Sequence, residues 1–477
     1  MAILAADLGG SASKVGLVDD RGRLLAARLH PLRHREPAPG LVEQEALAWW
    51  EAFAEGARAL ATGLSEPIEA IAITGATRCE VLVDAAGQPL APAILFRDRR
   101  ATAEAAELAA DPALAGAGPI DASHPLARLL WLARHAPELL ARTRAILEPT
   151  AFLAFRLTGE AARDPLSAHR LAEPAVRAAA ERLGLPLALL PPVRPLGALT
   201  GHLLPEPARA LGSRPGIPVV AAPMDAWCST LATGAVAAGR AYASAGSSLV
   251  AGLIVDRPVA APGLLAPPWG PGLWHLGGPS RTGGAALDWL ARLTGMPVEA
   301  LLAAAEATAE REAAPFCHPW PAGERVPFLA PELRARFWNL DAETSPGELA
   351  RALLEGLAFW VRLTLERAET AAGLRAAALR LAGGLAGRAV FPRLLAAALG
   401  RPVLVFAARE TALVGAAGLA LFALGRFADL EAVQRSLVDA AAPATIAAEP
   451  AAIARAEHRF RAWKAELDRL LAETDAR

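Results

Sequence analysis

Two short segments in opposite halves of the chain share one pattern: an apolar strand, a corner of small residues and a second apolar strand. The first is centred on Gly9-Gly10-Ser11 and the second on Gly246-Ser247-Ser248. Apolar runs that are bounded by Gly and Ser are typical of strands joined by tight turns. The repetition predicts a duplicated architecture, in which each half of the chain builds a sheet with one such corner. A chance repetition is the alternative, because short Gly-Ser hairpins are common.

The length predicts two large domains or three small ones, and the composition is that of a globular chain. It has 477 residues, of which 54 % are apolar and 20 % charged, and Lys+Arg 48 against Asp+Glu 49 leaves a formal net charge of −1. Disordered chains combine low hydrophobicity with high net charge, so global disorder is excluded. The near-neutral pI of 6.8 argues against a nucleic-acid partner. We place the domain boundary between residues 235 and 236, which gives an N-terminal domain 1–235 and a C-terminal domain 236–477.

The cysteines and the apolar runs bear on the cellular compartment. Cys79, Cys228 and Cys317 are scattered and form no CxxC pair, which is typical of a reducing compartment. Asp7 interrupts the first apolar run too early for a signal-peptide core, and no run reaches the ~18 apolar residues of a membrane span. The sequence therefore predicts a cytoplasmic protein without a membrane partner.

Several common catalytic motifs are missing from the sequence. The only lysines are Lys14 and Lys464, and neither follows a glycine, so no GxxxxGK[ST] phosphate loop can exist. Neither GxGxxG nor GxSxG occurs either. P-loop NTPases, Rossmann dehydrogenases and serine hydrolases with a nucleophile elbow are therefore disfavoured.

Asp7 ends the first strand and is followed at once by the small-residue corner Gly9-Gly10-Ser11. Backbone N–H groups at such a corner can face an anion, because no bulky side chain blocks the approach. A carboxylate beside phosphate oxygens repels them unless a hard cation such as Mg²⁺ lies between the two. The pattern fits a phosphate loop with a metal-binding acid. The alternative is that Asp7 hydrogen-bonds only its own turn.

Asp225 follows the buried strand Val219–Ala222 and the dipeptide Pro223-Met224. A carboxylate at this place could accept a proton from a substrate hydroxyl, a step that typically contributes about 10²–10⁴-fold to a rate. The alternative is helix capping, because Asp is a preferred N-cap residue and Ala226 could open a helix. The spacing alone favours the cap.

The motifs, taken together, resemble the FGGY family of carbohydrate kinases over almost the whole chain. The segment Asp7–Lys14 is similar to the first phosphate motif of the family, and Tyr242–Leu249 to its second phosphate corner. Ile71–Arg78 and Ala93–Arg100 are similar to the segment usually written Gly-Gln-Met-His-Gly and then Trp-Asn-Asp-x-Arg. Further similar segments follow in the order of the family: Gly277–Gly284, Glu324–Pro327, Leu381–Gly384 and Glu410–Ala417.

This resemblance implies an α/β chain with the two-domain actin-like ATPase (ribonuclease H-like) fold, in which ATP and sugar meet in an interdomain cleft. It implies an ATP-dependent, Mg²⁺-requiring kinase that phosphorylates a hydroxyl of a small sugar. Within the family the chain is most similar to xylulokinases, which implies a ketopentose such as xylulose or a related ketose as the substrate. The alternatives are a polyol or aldonate kinase of the family, or a non-catalytic nucleotide- or sugar-binding protein of the same fold. The implied partner is a small-molecule sugar, and a homodimer is left open.

The resemblance also implies roles for individual residues. Asp7 would hold the metal, and Asp225 would accept the hydroxyl proton. The residues implied to bind the nucleotide lie at small-residue corners, namely Gly9, Gly10, Ser11, Ser13, Lys14, Gly246, Ser247, Ser248, Gly283, Gly284, Gly383, Gly384, Leu385 and Ala386. The residues implied to bind the sugar are Thr77, Arg78, Asp98, Asp225 and Ala226.

The sequence departs from the family mainly where the sugar is expected. The usual Gln, Met and His are replaced by Ala76, Thr77 and Arg78, and the Trp-Asn pair by Phe96-Arg97. Arg only donates hydrogen bonds and keeps its charge, so xylulose specificity is in doubt. Arg78 could face a sugar carboxylate, which would indicate an aldonate, or pair with Asp98 or Glu80 in a structural role. We favour the structural pairing.

Overall fold

The chain forms two compact units in the computed structural model, which describes residues 1–62, 67–246, 248–309, 311, 314–407 and 410–475. The first unit comprises Met1–Ala232 and Ala412–Ala440, and the second comprises Thr233–Thr411 and Ala441–Arg477. A stretch from the second half of the sequence therefore returns to complete the first unit. The functional boundary at residues 235 and 236 stays a prediction.

The strands are mostly short apolar runs bounded by Gly, Pro, Asp or Ser, as expected for half-buried or buried β-structure. In chain order they are β1 (Ala2–Leu8), β2 (Ala12–Asp19), β3 (Leu24–Pro31), β4 (His34–Arg35), β5 (Glu43–Gln44), β6 (Ile68–Gly75), β7 (Val81–Val83), β8 (Ala93–Ile94), β9 (Ala145–Leu147), β10 (Gly201–His202), β11 (Pro218–Ala221), β12 (Ala241–Ala245), β13 (Leu249–Val255), β14 (Pro268–Gly270), β15 (Leu273–Pro279), β16 (Phe316–His318), β17 (Arg336–Trp338), β18 (Leu379–Ala382), β19 (Val403–Val405) and β20 (Ala444–Ile446).

Many helices begin with proline in their first turn, where its missing N–H costs nothing. In chain order the α-helices are α1 (Leu47–Ala61), α2 (Thr102–Ala109), α3 (Pro125–His135), α4 (Pro137–Arg142), α5 (Pro149–Thr158), α6 (Pro165–Ala172), α7 (Pro174–Arg182), α8 (Pro205–Leu211), α9 (Asp225–Ala232), α10 (Ala285–Thr294), α11 (Val298–Ala307), α12 (Pro346–Ala372), α13 (Val390–Leu399), α14 (Thr411–Ala423), α15 (Leu430–Ala441) and α16 (Pro450–Asp475). Short 3₁₀ turns occur at Pro112–Leu114, Leu187–Leu189 and Gly384–Gly387. Across the described residues, every helix is too short or too polar to cross a bilayer.

The first unit contains a six-stranded mixed sheet in the order β10-β11-β6-β1-β2-β3. Strands β1, β2 and β3 form an antiparallel meander, and β6 and β11 run parallel to β1. The predicted N-terminal meander is therefore confirmed. The carboxyl ends of β1, β6 and β11 lie at the same edge of the sheet, which is where open α/β sheets usually carry their ligands.

The main sheet of the second unit repeats this arrangement. Its order is β14-β15-β13-β12-β18-β19-β20. Strands β12, β18 and β19 are parallel, β13 and β20 are antiparallel to their neighbours β12 and β19, and β15 is antiparallel to β13. Apart from the extra edge strand β14, strand order and directions match those of the first sheet one by one. The duplicated architecture that the two Gly-Ser corners predict is confirmed, and each corner joins the central strand to its antiparallel neighbour.

The sheet of the first unit is covered on both faces. Alternate residues of β1 and β2 pack with α1 into one hydrophobic core, which contains Ala2, Leu4, Ala6, Leu8, Val15 and Leu17. Residues between them point to the other face, where Gly16 lies so close to Leu413 of α14 that a Cβ atom at Gly16 would approach it to 2.9 Å. This second face, covered by α14, is the one on which Asp7 and Lys14 lie.

The long helix α12 is the central helix of the core of the second unit. Ser345 and Glu348 form a capping box at its start, and Gly373 ends it with φ 68°. Such a box satisfies two backbone N–H groups that the helix cannot bond internally. Leu353, Leu357 and Trp360 are fully buried. The predicted start at Ser345 and end near Ala372 are confirmed.

Candidate functional site

Asp7 is the second-to-last residue of β1. The two strands that flank β1 place polar residues beside it. Its direct partner in the antiparallel β2 is Lys14, and its partner in the parallel β6 is Thr74. Directly opposed residues on adjacent strands project their side chains to the same face of a sheet. A carboxylate, an ammonium group and a hydroxyl therefore form one row across the first sheet, on the face covered by α14.

The corner after β1 leaves backbone groups accessible. Gly9 closes the turn by donating its N–H to Ala12 O (3.1 Å), and a Cβ atom at Gly9 would lie 2.6 Å from the same oxygen. Trp49 Nε1 donates to Gly9 O (2.9 Å) and holds the corner from α1. Gly10 is partly exposed and Ser11 is exposed. The corner is thus rigid at Gly9 and open at the next two residues.

Ser13, just after the same corner, faces a different way from Lys14. Ser13 is completely buried, and its direct partner in β1 is Leu8, which belongs to the core beside α1. Because side chains alternate along a strand, Ser13 lies on the opposite face of the sheet from Lys14. The hydroxyl of Ser13 therefore lies in the apolar core and faces away from Asp7 and Lys14, and its contact with the nucleotide stays a prediction.

Asp225 is the first residue of α9 and follows β11 at the carboxyl edge of the sheet. Thr74 Oγ1 donates to Pro223 O (2.5 Å), which ties the segment before Asp225 to β6. Asp225 Oδ1 accepts the N–H of Ala226 (2.7 Å). The carboxyl is reached by solvent, yet the surrounding protein removes part of its hydration and raises its pKa, while the Ala226 N–H and the charge of Lys14 act to lower it.

Asp7 and Asp225 lie in one neighbourhood of the first unit. Cys228, one turn into α9, is buried, and burial raises the pKa of its thiol. The negative charges of Asp225 and Asp7 both raise that pKa further, and the Thr74 hydroxyl lowers it. Two distant acidic residues, each at the end of its own segment, are thus brought to the same edge of one sheet together with Lys14.

Helix α14 fixes the position of α9 by close contact. A Cβ atom at Gly415 would lie 1.8 Å from the carbonyl oxygen of Cys228, so only glycine allows the two helices to pack this closely. We expect Gly415→Ala to push α9 outward, to lower the free energy of unfolding by about 1–3 kcal/mol or more and to reduce turnover by moving Asp225. Thermal unfolding and a turnover assay would measure both effects. Gly116→Ala is the matched control, because a Cβ atom there meets nothing within 4 Å; equal behaviour of the two variants would contradict the prediction.

In the second unit, three segments that are predicted to bind the nucleotide converge. The N–H of Gly284 donates to Gly246 O (2.8 Å), and the N–H of Gly246 donates to Ser248 O (3.0 Å). Gly383 has φ 97°, and a Cβ atom there would lie 2.7 Å from the carbonyl carbon of Ala245. The corner after β12, the loop before α10 and the turn after β18 are therefore in mutual contact through glycines.

The remaining residues predicted for the nucleotide differ in accessibility. Ser248 is exposed and Gly384 has open space around its Cα atom, whereas Gly283 is buried; Ser247 lies outside the described residues. Leu385 and Ala386 are 6 % and 4 % exposed and belong to the hydrophobic core. Only the backbone of these two residues could face a ligand, as expected if the turn approaches a flat base without side chains.

The segment after β6 places Thr77 and Arg78 at the same edge of the first sheet as Asp225. Thr77 is partly exposed. Arg78 has a left-handed backbone, with φ 56°, which is uncommon for a residue with a side chain. Its N–H donates to Glu148 Oε1 (2.8 Å), and its Nη1 donates to Ser123 Oγ (3.0 Å) and lies 3.8 Å from Asp121 Oδ2.

These contacts correct the pairing that we expected for Arg78. Neither Asp98 nor Glu80 is its partner, because both carboxylates are taken by other arginines. Glu80 pairs with Arg128 Nη1 (2.5 Å). Asp98 accepts from Arg100 and from the N–H of Val42 (2.7 Å). Arg78 is instead anchored to Ser123 and Asp121, which lie just before α3.

Asp98 itself is a structural residue. Its side chain is completely inaccessible, and Oδ1 and Oδ2 both accept hydrogen bonds from Arg100. Although burial alone would raise its pKa, the hydrogen bonds from Arg100 and Val42 hold that pKa below its usual value. The carboxylate of Asp98 is thus enclosed and accepts hydrogen bonds from Arg100 and Val42, and its contact with the sugar stays a prediction.

The structure adds residues that the sequence did not single out. Glu148 supports the backbone of Arg78, and its surroundings raise the pKa of its carboxyl to about 7, mainly because protein excludes water from it. Asp164 caps α6 and lies close enough to raise the pKa of Cys228. Both acids stand directly before a proline, a local signal that indicates a helix start. Nothing local in the sequence indicates that these two starts meet Arg78 and α9.

Comparison with known proteins agrees with this architecture. The family model "FGGY family of carbohydrate kinases, N-terminal domain" matches residues 2–232, and the corresponding C-terminal model matches residues 241–424. The chain is 31 % identical to the xylulose kinase of Escherichia coli (strain K12), covering 82 % of this chain and 83 % of that protein. It is 30 % identical to the glycerol kinase of Thermus brockianus, covering 87 % and 88 %.

A solved structure is similar over the full length as well. The crystal structure of a xyloylose kinase from Brucella ovis superimposes with a TM-score of 0.87 at 27 % identity and covers 99 % of this chain and 100 % of that one. The two family models together match residues 2–232 and 241–424, which is well over half of the chain, and the two sheets share one strand order apart from the edge strand β14. The chain therefore belongs to the FGGY family of carbohydrate kinases and is an ATP-using enzyme that phosphorylates a sugar.

Proposed function

We propose that Asp225 is the catalytic base of this kinase and that the sugar hydroxyl to be phosphorylated binds beside it. The observation that carries the proposal is the neighbourhood of Asp7, Lys14 and Asp225 at one edge of the first sheet. A chain that only bound nucleotide or sugar would have no need of a base opposite the metal-binding acid. The same grouping gives the helix-capping alternative for Asp225 less weight, because capping does not require Lys14 or Asp7.

The chemistry that this arrangement supports is a single phosphoryl transfer. The hydroxyl oxygen attacks the γ-phosphorus of ATP and gives its proton to the Asp225 carboxylate, while the bond from the γ-phosphorus to the bridging oxygen breaks and ADP leaves. Positioning and charge neutralisation supply most of the catalysis in such transfers. Lys14 helps to keep Asp225 ionised, because its positive charge opposes the rise in pKa that the surrounding protein causes.

The residues present fit a magnesium ion at Asp7. Within the described residues no cluster of three or more His, Cys, Asp or Glu could hold a metal by itself. Mg²⁺ commonly takes one or two carboxylates, several waters and phosphate oxygens of a substrate, and Asp7 beside the open corner Gly10-Ser11 offers one carboxylate next to a phosphate position. When bound, the ion would neutralise phosphate charge. Asp7 would hold it, and the corner would orient the phosphates through backbone N–H groups.

We propose that the glycine-lined segments of the second unit bind the rest of the nucleotide. Gly246 and Ser248 would contact phosphates, and Gly383 and Gly384 would lie along the adenosine. The support is the convergence of these segments through the hydrogen bond from Gly284 to Gly246 and the contact of Gly383 with Ala245. Backbone without side chains lets a phosphate or a flat base approach closely.

For the sugar, a ketopentose such as xylulose or a related ketose is the first candidate, because xylulose kinases are among the relatives. Arg78 favours a second candidate, an aldonate, since it replaces the histidine that the family usually has there and is partly exposed at the same edge as Asp225. A polyol such as glycerol is less well supported, because the Arg-Glu pair of glycerol kinases is not reproduced at Thr77-Arg78. A cytoplasmic location and a homodimer also stay proposals.

The test is the release of ADP from ATP and Mg²⁺ in the presence of single sugars. The panel would contain ketopentoses, polyols and aldonates of equal carbon number, and the product would be identified as a sugar phosphate by mass. We expect one class to stimulate ADP release strongly above the rate without sugar. Release that no sugar stimulates would contradict the proposed reaction.

A further inference from the structure

A second arginine, Arg170, lies near enough to Arg78 for the two positive charges to act on each other. Arg170, near the end of α6, is half-buried, and within the part of the chain that the structure describes its guanidinium makes no hydrogen bond and no ion pair. Burial lowers the pKa of Arg170, and the positive charge of Arg78 lowers it further. A guanidinium with five donors that is half-buried beside another cation is costly unless a ligand or water satisfies it.

The groups around Arg78 and Arg170 leave part of the positive charge of these two arginines unbalanced. Asp121 faces both arginines, but its Oδ1 already accepts from Ser123, and Glu173 acts on Arg170 only from a distance. The adjacent rings of His124 and His169 are neutral at pH 7, because burial and the two arginines lower their pKa, that of His124 to about 4.

The backbone of Arg78 is held in place by the same neighbourhood. Its left-handed backbone is tied to Glu148 by a hydrogen bond of 2.8 Å, and its Nη1 is held by Ser123. Helix α6 begins at Asp164, whose charge reaches Cys228 beside Asp225. Arg78 and Arg170 therefore lie on anchored segments that begin near the sheet edge where Asp225 lies.

We propose that Arg170 and Arg78 together recognise the carboxylate of an acidic sugar, so that the acceptor is a sugar acid of the aldonate class. This rests on the proposed function and decides between its two candidates. A carboxylate accepts paired, charge-assisted hydrogen bonds from a guanidinium, which a neutral ketose cannot replace. A sugar acid carries one negative charge, which suits two arginines that already face Asp121 better than the two charges of a phosphate group would.

The experiment compares xylonate with xylitol, which has a CH₂OH group in place of the carboxylate, and with xylulose and xylulose 5-phosphate. ADP release gives kcat/KM for each, and titration calorimetry without ATP gives binding. We expect the acid to be preferred over both neutral sugars. In Arg170→Gln, kcat/KM for the acid should fall about 10- to 100-fold, as for loss of charge-assisted hydrogen bonds, with little change for xylitol; Arg170→Lys should recover part of the loss. Arg177→Gln, at an exposed pair on α7, is the control.

A wild-type enzyme that prefers xylulose, xylitol or the phosphate, or an Arg170→Gln variant that lowers activity on acid and neutral sugar equally, would overturn the inference. If no sugar stimulates ADP release, the proposed function fails, and calorimetry still decides the inference: binding of the acid that is lost in Arg170→Gln supports it, and binding that Arg170→Gln leaves intact, or no binding of the acid by the wild-type protein, overturns it.

Discussion

Replacing Asp225 with asparagine is expected to lower kcat about 10²–10⁴-fold, the range in which a positioned base usually contributes, while the protein stays folded. Asparagine has the same shape, and its side-chain oxygen can still accept the N–H of Ala226. What it lacks is the ability to take the hydroxyl proton. ADP release at saturating ATP and sugar measures kcat, and binding of the sugar without ATP should change much less.

The control for this variant is Asp439→Asn, which removes one carboxylate from the exposed face of α15. It should keep the activity of the unchanged enzyme. The pH profile adds a second readout. Because the surrounding protein raises the pKa of Asp225, kcat of the wild type should begin to fall, as the pH is lowered, at a pH above the ordinary pKa of an Asp carboxyl. An Asp225→Asn variant with unchanged kcat would reject the proposed base.

The framework that presents Asp7 and Asp225 could be predicted from the sequence, because it rests on short-range rules. Apolar runs that end at Gly-Ser corners predict the central strand of each sheet. The apolar run before Pro223 predicts a strand, which places Asp225 at the carboxyl edge of the first sheet. The side-chain alternation along β2 also holds the information that Ser13 and Lys14 face opposite ways. That signal places the Ser13 side chain in the core beside α1 and the Lys14 side chain on the face of Asp7.

The partners of Arg78 could not be predicted in this way. Ser123 and Glu148 are 45 and 70 residues away in sequence, and no local periodicity relates helix starts to a loop at such distances. The expected structural partners of Arg78 were instead Asp98 and Glu80. Both turned out to be satisfied by Arg100 and Arg128, because a buried carboxylate is stable only with a partner that is equally enclosed.

Arg128→Met is expected to lower the free energy of unfolding by about 3–5 kcal/mol, the range found when one partner of a buried ion pair is removed. Arg128 is 1 % exposed and donates to Glu80, to Leu95 O (2.9 Å), to Asp98 O (3.0 Å) and to Ala122 O (2.7 Å). Methionine fills similar space but leaves Glu80 buried without its cation, and burial already raises the pKa of Glu80. Urea unfolding at neutral pH measures the loss.

The matched control lies on the same helix, α3. Arg134 pairs with Glu107 at the surface, where such pairs contribute about 0–1 kcal/mol, so Arg134→Met should change stability little.

Adding Glu80→Gln to Arg128→Met should restore part of the loss, because no uncompensated charge remains buried, although three carbonyl groups still lack their donor. Because Arg128 also holds the backbone next to Asp121 and Ser123, surviving Arg128→Met enzyme should have a raised KM for sugar. Equal stability of the Arg128→Met and Arg134→Met variants would mean that Glu80 finds another partner or takes up a proton at little cost, and the structural role assigned to Arg128 would fail.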